Sequence, residues 1–522
     1  VEEASVIKIL LDINVVLDIL LPRREFYLDS FAVLNLCASN KVEGWLSADS
    51  YSTVHYYLKK EFDELVARNK IFTNLRSLSV LPVRKSTLME ANASLSPDFE
   101  DNMKMAAADQ FHLNYIVTRN TKHFKDSPVT ALTPAEFVTL FKETDGEPAA
   151  SPVPFLDLKA QHHQVYNEID DKLTDVIANT GFILGKYVEA FEMDFAAAQG
   201  AKYCIGVSSG TDALHIALLA LGIGPGDGVI VPVNTFIATA EAVSLCGATP
   251  VFVDCDAYYN VDVGQMEALL ESSAIRPKAI IPVHLYGQPA NMAAISALAD
   301  QYGLKIVEDC CQAHLARFRE KPVGNFGVFG AFSFFPGKNL GAYGEAGGLI
   351  ANDEDLYLKA KMIRQHGEIQ RYQHQVIGHN YRMEAFQGAV LSVKIKYLAD
   401  WTEKRRANAA RYRDLLTGVE GVRIPVEIDD VYSVYHLFVI QADRREALQQ
   451  YLLEKGVATG LHYPRPLHLH PAYEQLGYHA GDFPVAEAAA KRILSLPMYP
   501  ELGERQIRYV ADTIKVFYSG SG

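Results

Sequence analysis

Short apolar runs alternate along this chain with longer stretches in which apolar positions recur every three to four residues. Runs of the first kind are Val6–Leu11, Tyr115–Thr118, Cys204–Val207, Val229–Val233, Thr249–Val253, Ala279–Val283 and Leu304–Glu308, and they predict strands. Helical periodicity marks Thr211–Leu221, Asn291–Tyr302 and Glu354–Arg364, between or after those runs. Such alternation predicts an α/β fold whose sheet is mostly parallel and covered by helices on both faces. Neither a short-period repeat nor a low-complexity tract interrupts it.

The clearest break is the stretch Glu143-Thr-Asp-Gly-Glu-Pro-Ala-Ala-Ser-Pro-Val153, rich in Pro, Gly and small residues. It separates a small α/β unit, residues 1–143, from a larger one beginning at 153, with 144–152 as the linker. The length of 522 residues suits two or three compact units. Ser519-Gly-Ser-Gly522 reads as a tail.

Composition narrows the classes. Apolar residues make up 49% and charged residues 21% of the chain, an ordinary globular balance. With 63 acidic against 49 basic residues the net charge is −14, which disfavours a large non-specific nucleic-acid surface over the whole molecule. No run approaches the roughly 18 apolar residues of a membrane span. The opening sequence has acidic residues before its apolar run and no small-residue cleavage site, so a signal peptide is not expected and a cytoplasmic location is. Cys37, Cys204, Cys246, Cys255, Cys310 and Cys311 form no C-x-x-C pair, and read as buried or incidental thiols of a reducing compartment.

Four features of the larger unit carry candidate chemistry. Val207-Ser-Ser-Gly-Thr-Asp-Ala-Leu214 is a strand, a Gly-containing turn and a helix start, whose free N–H groups suit a phosphate. In Ile306-Val-Glu-Asp-Cys-Cys-Gln-Ala-His314, Asp309 closes an apolar strand, where open α/β sheets place ligands. An anionic Asp309 would keep a pyridine nitrogen protonated; a strand-end aspartate that caps the next helix looks the same. In Phe332-Ser-Phe-Phe-Pro-Gly-Lys-Asn-Leu-Gly341 a single lysine sits among aromatics and glycines. Apolar surroundings lower a lysine towards the neutral amine that imine formation needs, although a surface-loop lysine remains the plainer reading of this motif alone. Gly378-His-Asn-Tyr-Arg-Met383 precedes the helical stretch Glu384–Tyr397.

Taken in order, these motifs resemble the DegT/StrS family of sugar aminotransferases, fold-type I pyridoxal-phosphate enzymes. The likeness runs from Val153 to about Tyr518 and includes Val283-His-Leu-Tyr-Gly-Gln288 and Ser495-Leu-Pro-Met498. It implies a large cofactor-binding domain over 153–390 and a smaller α/β domain over 391–518. Lys338 is then the Schiff-base lysine and proton shuttle, Asp309 the partner of the pyridinium nitrogen, and Gln312 the contact of the ring hydroxyl. Phe236 stacks on the ring, and Gly210, Thr211 and Ser333 hold the phosphate. Asn380 is expected to reach the phosphate of a neighbouring subunit, which implies a homodimer with shared active sites. Cys310-Cys311 stand where alanines are usual and Ala346 replaces a common glycine. Lysine at 338, where the family's sugar dehydratases carry histidine, favours transamination.

The implied reaction moves an amino group from an amino acid, glutamate by family habit, to a keto-sugar nucleotide. The preferred acceptor is a dTDP-linked 3-oxo-6-deoxyhexose, with a UDP carrier and C4 amination left open. Tyr435-His436, His462-Tyr-Pro464 and His468-Leu-His470 are similar to the sugar-nucleotide side of the family. His436, His462 and His468 are therefore candidate substrate contacts, with ordinary packing as the other reading. A regulatory protein that binds the cofactor without turnover is the non-catalytic alternative.

In the first unit, Leu11-Asp-Ile-Asn14, Asp18, Asp98-Phe-Glu-Asp101 and Ile116-Val-Thr-Arg-Asn120 resemble a PIN domain over about Lys8–Lys142. That family holds Mg²⁺ or Mn²⁺ with clustered carboxylates and cuts RNA. Asp12 and Asp101 match its core pair and Asp98 is a third candidate ligand. Thr53, Asn120 and His123 stand where acids are frequent. A metal-dependent ribonuclease and a non-cleaving binding or stability module are both open readings of this unit, and RNA is a candidate partner for it alone.

Overall fold

The computed structural model describes residues 7–21, 25–39, 41–94, 98–144, 153–272 and 276–520. The expected linker 144–152 lies outside them except for Thr144, as do the first six residues and the last two of the tail. The chain divides into two compact units, Val1–Ala149 and Ala150–Gly522.

The first unit is built on a five-stranded parallel sheet in the order Ser79–Leu81, Glu43–Ser47, Lys8–Leu11, Tyr115–Val117, Thr130–Leu132. Ile9, Leu10 and Leu11 of the central strand are buried, as expected for a parallel sheet covered on both faces. The chain winds from this central strand to one edge and then crosses to its other side at Tyr115–Val117, so its carboxyl end is a topological switch point, where such sheets bind ligands. Asp12 stands there. Its side chain caps the helix Ile13–Leu20.

The second unit contains a seven-stranded sheet in the order Tyr203–Val207, Gly347–Ala351, Phe329–Ser333, Lys305–Asp309, Pro277–Ile280, Gly228–Pro232, Thr249–Val253. Only Gly347–Ala351 runs antiparallel to its neighbours, so the expectation of a mostly parallel sheet holds. Helices Gly210–Ala220, Ala238–Leu245 and Met292–Tyr302 connect strands of this sheet, and Glu354–Arg364 follows its last strand. Their ends follow local chemistry: Asn291 and Asp353 accept amide hydrogen bonds as N-caps, and Met292–Tyr302 ends at Gly303 with φ 70°. A smaller antiparallel sheet, Val422–Arg423, Phe438–Ala442 and Ile493–Leu496, packs with the helices Leu398–Leu416, Arg445–Glu454 and Glu504–Ser519 around a separate apolar cluster that includes Tyr412, Phe438 and Ile514. Among the described residues no helix is long and apolar enough to cross a membrane.

Candidate active site

The second unit holds a cavity of about 560 Å³, lined by Gly210, Thr211, Phe236, Asp309, Gln312, Ser333, Lys338, His436 and His462. Gly210, Thr211, Phe236, Asp309, Gln312, Ser333 and Lys338 meet there because they end or follow strands of the seven-stranded sheet or start a helix after one. His436 and His462 come from the later part of the chain. Ser209, extended after the strand Tyr203–Val207, accepts a 3.1 Å hydrogen bond from the Asp212 amide and opens the helix Gly210–Ala220. That turn fits only without side chains. A Cβ on Gly210 would lie 2.8 Å from Ser333 Cβ and 2.8 Å from Cys311 Sγ, and one on Gly347 would lie 2.2 Å from the Ser209 carbonyl oxygen. The result is a backbone-walled cradle at a helix N-terminus, the chemistry a phosphate group selects.

Asp309 ends the strand Lys305–Asp309 with its side chain buried. Its Oδ2 accepts a 2.8 Å hydrogen bond from the Thr239 hydroxyl and its Oδ1 a 3.1 Å bond from the Cys311 amide. Glu308, one residue earlier and so on the opposite face, pins the same strand. It accepts from the amides of Gly324, Phe326 and Gly327 at 2.6–2.7 Å and faces His284 Nε2 at 3.0 Å. His284, Glu308 and Cys310 lie close enough to suggest a metal site. His284 Nδ1, however, accepts from the Ala290 amide, so both ring nitrogens are spent on the protein and the group is a structural anchor. Gln312 accepts from the Tyr286 amide at 2.7 Å and donates to the Tyr463 hydroxyl at 3.1 Å. Phe236, half exposed, has its ring 5.4 Å from that of Tyr463.

Lys338 lies in the connection between the antiparallel neighbours Phe329–Ser333 and Gly347–Ala351, its amide donating to the Phe335 carbonyl at 2.8 Å. Burial pulls its amine below the ordinary lysine value, against the opposing pull of Cys311 and Asp309. His436 and His462 face the same cavity. Burial, with the Lys338 charge next, holds His436 well below the ordinary imidazole value and His462 down to about 4. Both are therefore held towards the neutral form near pH 7. His462 Nδ1 lies 2.8 Å from the Ser495 hydroxyl, and its ring stacks on Phe155.

Two expected residues lie outside this cavity wall; for Asn380, expected at the phosphate of a neighbouring subunit, that is no departure. His468 does not line the cavity: it is buried against Phe483, with Nε2 3.0 Å from Glu487, and its role is packing. Asn380 is exposed, accepts from Arg382 Nε at 2.9 Å and is absent from the cavity wall. The cavity also contains Thr239, Glu345 and Tyr463, which sequence reasoning missed. Thr239 lies within two turns of Phe236, so the threonines at 235 and 239 next to an expected stacking ring were the available signal.

In the first unit Asp12, Asp98 and Asp101 do not assemble as one ligand set. All four acceptor positions of Asp12 are used: Oδ1 by the Ile13 amide and Lys104 Nζ, Oδ2 by Asn14 Nδ2 and the Thr118 hydroxyl, at 2.7–2.8 Å. Asp98 caps the helix Phe99–Gln110 through the amides of Glu100 and Asp101. Asp101 lies 3.1 Å from His123 Nδ1, and Asp98, Asp101 and His123 come within 4.8 Å of one another. Asp12 and Asp101 are bridged instead by Lys104, whose amine burial pulls down and the Asp12 and Glu100 carboxylates raise, leaving it above its ordinary value. These residues do not fit the divalent ion expected at Asp12.

The second unit does fit pyridoxal phosphate: a glycine-walled phosphate cradle, a buried carboxylate and a lysine with a depressed amine share one cavity. A model of the DegT/DnrJ/EryC1/StrS aminotransferase family matches residues 163–515, and a PIN domain model matches 8–122. The chain is 49% identical over 369 residues to the pleiotropic regulatory protein of Geobacillus stearothermophilus, covering 70% of this chain and 98% of that one. It is 43% identical over 365 residues to the dTDP-3-amino-3,4,6-trideoxy-alpha-D-glucose transaminase of Streptomyces venezuelae, covering 70% and 95%. The crystal structure of NtdA from Bacillus subtilis with bound cofactor PMP superposes with a TM-score of 0.64 at 32% identity, over 70% of this chain and 86% of that one. The chain therefore belongs to the DegT/DnrJ/EryC1/StrS family of pyridoxal-phosphate sugar-nucleotide aminotransferases, and it carries a PIN domain ahead of the family's own region.

Proposed function

We propose that the second unit transfers an amino group from glutamate to a dTDP-linked 3-oxo-6-deoxyhexose. The observation that carries this reading is Lys338, its amine depressed by burial, in one cavity with the Thr239-bonded carboxylate of Asp309. Similarity to a transaminase named for a dTDP-3-amino sugar supports the acceptor.

Bound pyridoxal phosphate supplies the electron sink that makes the donor's α-carbon acidic. Gly210, Thr211 and Ser333 hold its phosphate, Phe236 covers one ring face, and Gln312 meets the ring hydroxyl. Asp309, kept in place by Thr239, holds the proton on the pyridine nitrogen. Lys338, as neutral amine, would be the base that takes the proton from the donor's α-carbon and, in the second half-reaction, the acid that gives one to the acceptor carbon of the keto-sugar. His436 and His462, uncharged, orient sugar hydroxyls. Asn380 serves the phosphate of a second copy, which makes the working enzyme a homodimer.

A spectrum of the protein with pyridoxal phosphate, before and after glutamate, tests this. The visible band of lysine-bound cofactor is expected to form, and glutamate to convert it to the pyridoxamine form, with neither in Lys338→Ala. No band in the native chain overturns the reading. The regulatory alternative draws on the name of the Geobacillus relative; it predicts a band but no amino sugar from any keto-sugar nucleotide.

A further inference from the structure

The misfit between the acidic centre of the first unit and a divalent ion has an identifiable cause. We propose that the Lys104 ammonium takes the place of the divalent cation at that centre, so that this unit folds with an internal cation between Asp12 and Asp101 and does not hydrolyse RNA through a metal-bound water.

Lys104 follows Glu100 and Asp101 by four and three residues on the helix Phe99–Gln110, which puts all three side chains on one face. An ammonium has three N–H donors, and three carboxylates surround this one: Asp12 at 2.8 Å, Glu100 at 3.1 Å and Asp101 at 3.5 Å. The lysine is only 4% exposed. A magnesium ion bridging Asp12 and Asp101 would need oxygens at about 2.0–2.1 Å, and the point between those carboxylates is where Nζ lies. Moving the lysine aside would leave a buried charge without its partners, a strongly destabilising change. Asp18 follows the same pattern. It is fully buried, and Arg119 Nε approaches its Oδ2 at 3.2 Å while Ser30 bonds the same atom. Three of the acids singled out in this unit, Asp12, Asp18 and Asp101, thus meet a basic side chain from within the fold.

The test uses Mn²⁺ alone as probe, with the full chain loaded with pyridoxal phosphate. Free Mn²⁺ is followed by electron paramagnetic resonance, and the readout is the share of bound ion that Asp12→Asn releases. In the native chain that share is expected to be nil. Lys104→Gln is expected to capture one Mn²⁺ per chain, released again when Asp12→Asn is added. Mn²⁺ held by the native chain and released by Asp12→Asn overturns the proposal. So does a folded Lys104→Gln that captures none, because the amine would then not be what excludes the ion. If limited proteolysis shows that Lys104→Gln does not fold, the native chain against Asp12→Asn decides alone.

Discussion

The Thr239 hydroxyl donates a 2.8 Å hydrogen bond to Oδ2 of Asp309, across seventy residues of sequence. Thr239 is itself 3.0 Å from the Thr235 hydroxyl, so a short chain of hydroxyls fixes the orientation of the acid. A hydrogen bond to a charged group contributes about 1.5–3 kcal/mol. Thr239→Val is therefore expected to lower kcat/KM roughly 10- to 150-fold, while Thr239→Ser restores most of it. Steady-state kinetics with saturating cofactor check this; unchanged kinetics in the valine variant would remove Thr239 from the site.

Gly347 has no room for a side chain, since its Cβ would meet the Ser209 carbonyl at 2.2 Å and the Gly210 amide at 2.8 Å. Gly347→Ala must push the phosphate turn out of place. Overpacking of this kind costs about 1–3 kcal/mol, so affinity for pyridoxal phosphate is expected to fall roughly 5- to 150-fold. A cofactor titration by absorbance measures it.

Arg364 ties three elements together. Its Nη1 bonds Glu192 at 2.8 Å and the Gly206 carbonyl at 3.1 Å, joining the helix Lys186–Gln199, the strand Tyr203–Val207 and its own helix. Both side chains are largely buried. Arg364→Met leaves Glu192 without its cation and is expected to destabilise the second unit by about 3–5 kcal/mol, read as a lower urea midpoint. A shift below 1 kcal/mol, roughly the value of an exposed pair, would contradict the burial argument.

His462 is held near 4, against an ordinary value of 6.5, so on acidification the unfolded chain takes up its proton before the folded one does. Stability from this group is complete above about pH 6.5 and is lost as the pH falls towards 4. His314, depressed to about 3 by burial, acts over the same range. His462→Gln is expected to flatten, without abolishing, the fall in urea midpoint between those limits. An identical slope in the variant would show that His462 does not titrate as its surroundings require.

Much of the site was legible because its residues sit at the ends of local patterns. Asp309 closes an apolar strand, Gly210 lies in a strand-to-helix turn, and Lys338 stands alone among aromatics and glycines. Tyr463 gave no such signal, because its importance arises only when distant segments meet at one cavity. The strands Phe329–Ser333 and Gly347–Ala351 were missed for a related reason. Their glycines and aromatics, surrounding a reactive-looking lysine, resemble a loop until the sheet pairs them. His468 misled because it shares a motif with neighbours of different fate. Lys104 was overlooked because the search there counted acids, and the decisive residue was a base one helical turn away.

The antiparallel placement of Gly347–Ala351 has a consequence for how the enzyme fails. This strand is bonded on both edges, to Tyr203–Val207 and to Phe329–Ser333, and its residues are buried. Amides of such a strand exchange with solvent only through the largest openings of the fold. The connection bearing Lys338 is thus anchored at both ends to strands paired within the sheet. Displacing both anchors of that connection therefore requires an opening of the sheet itself.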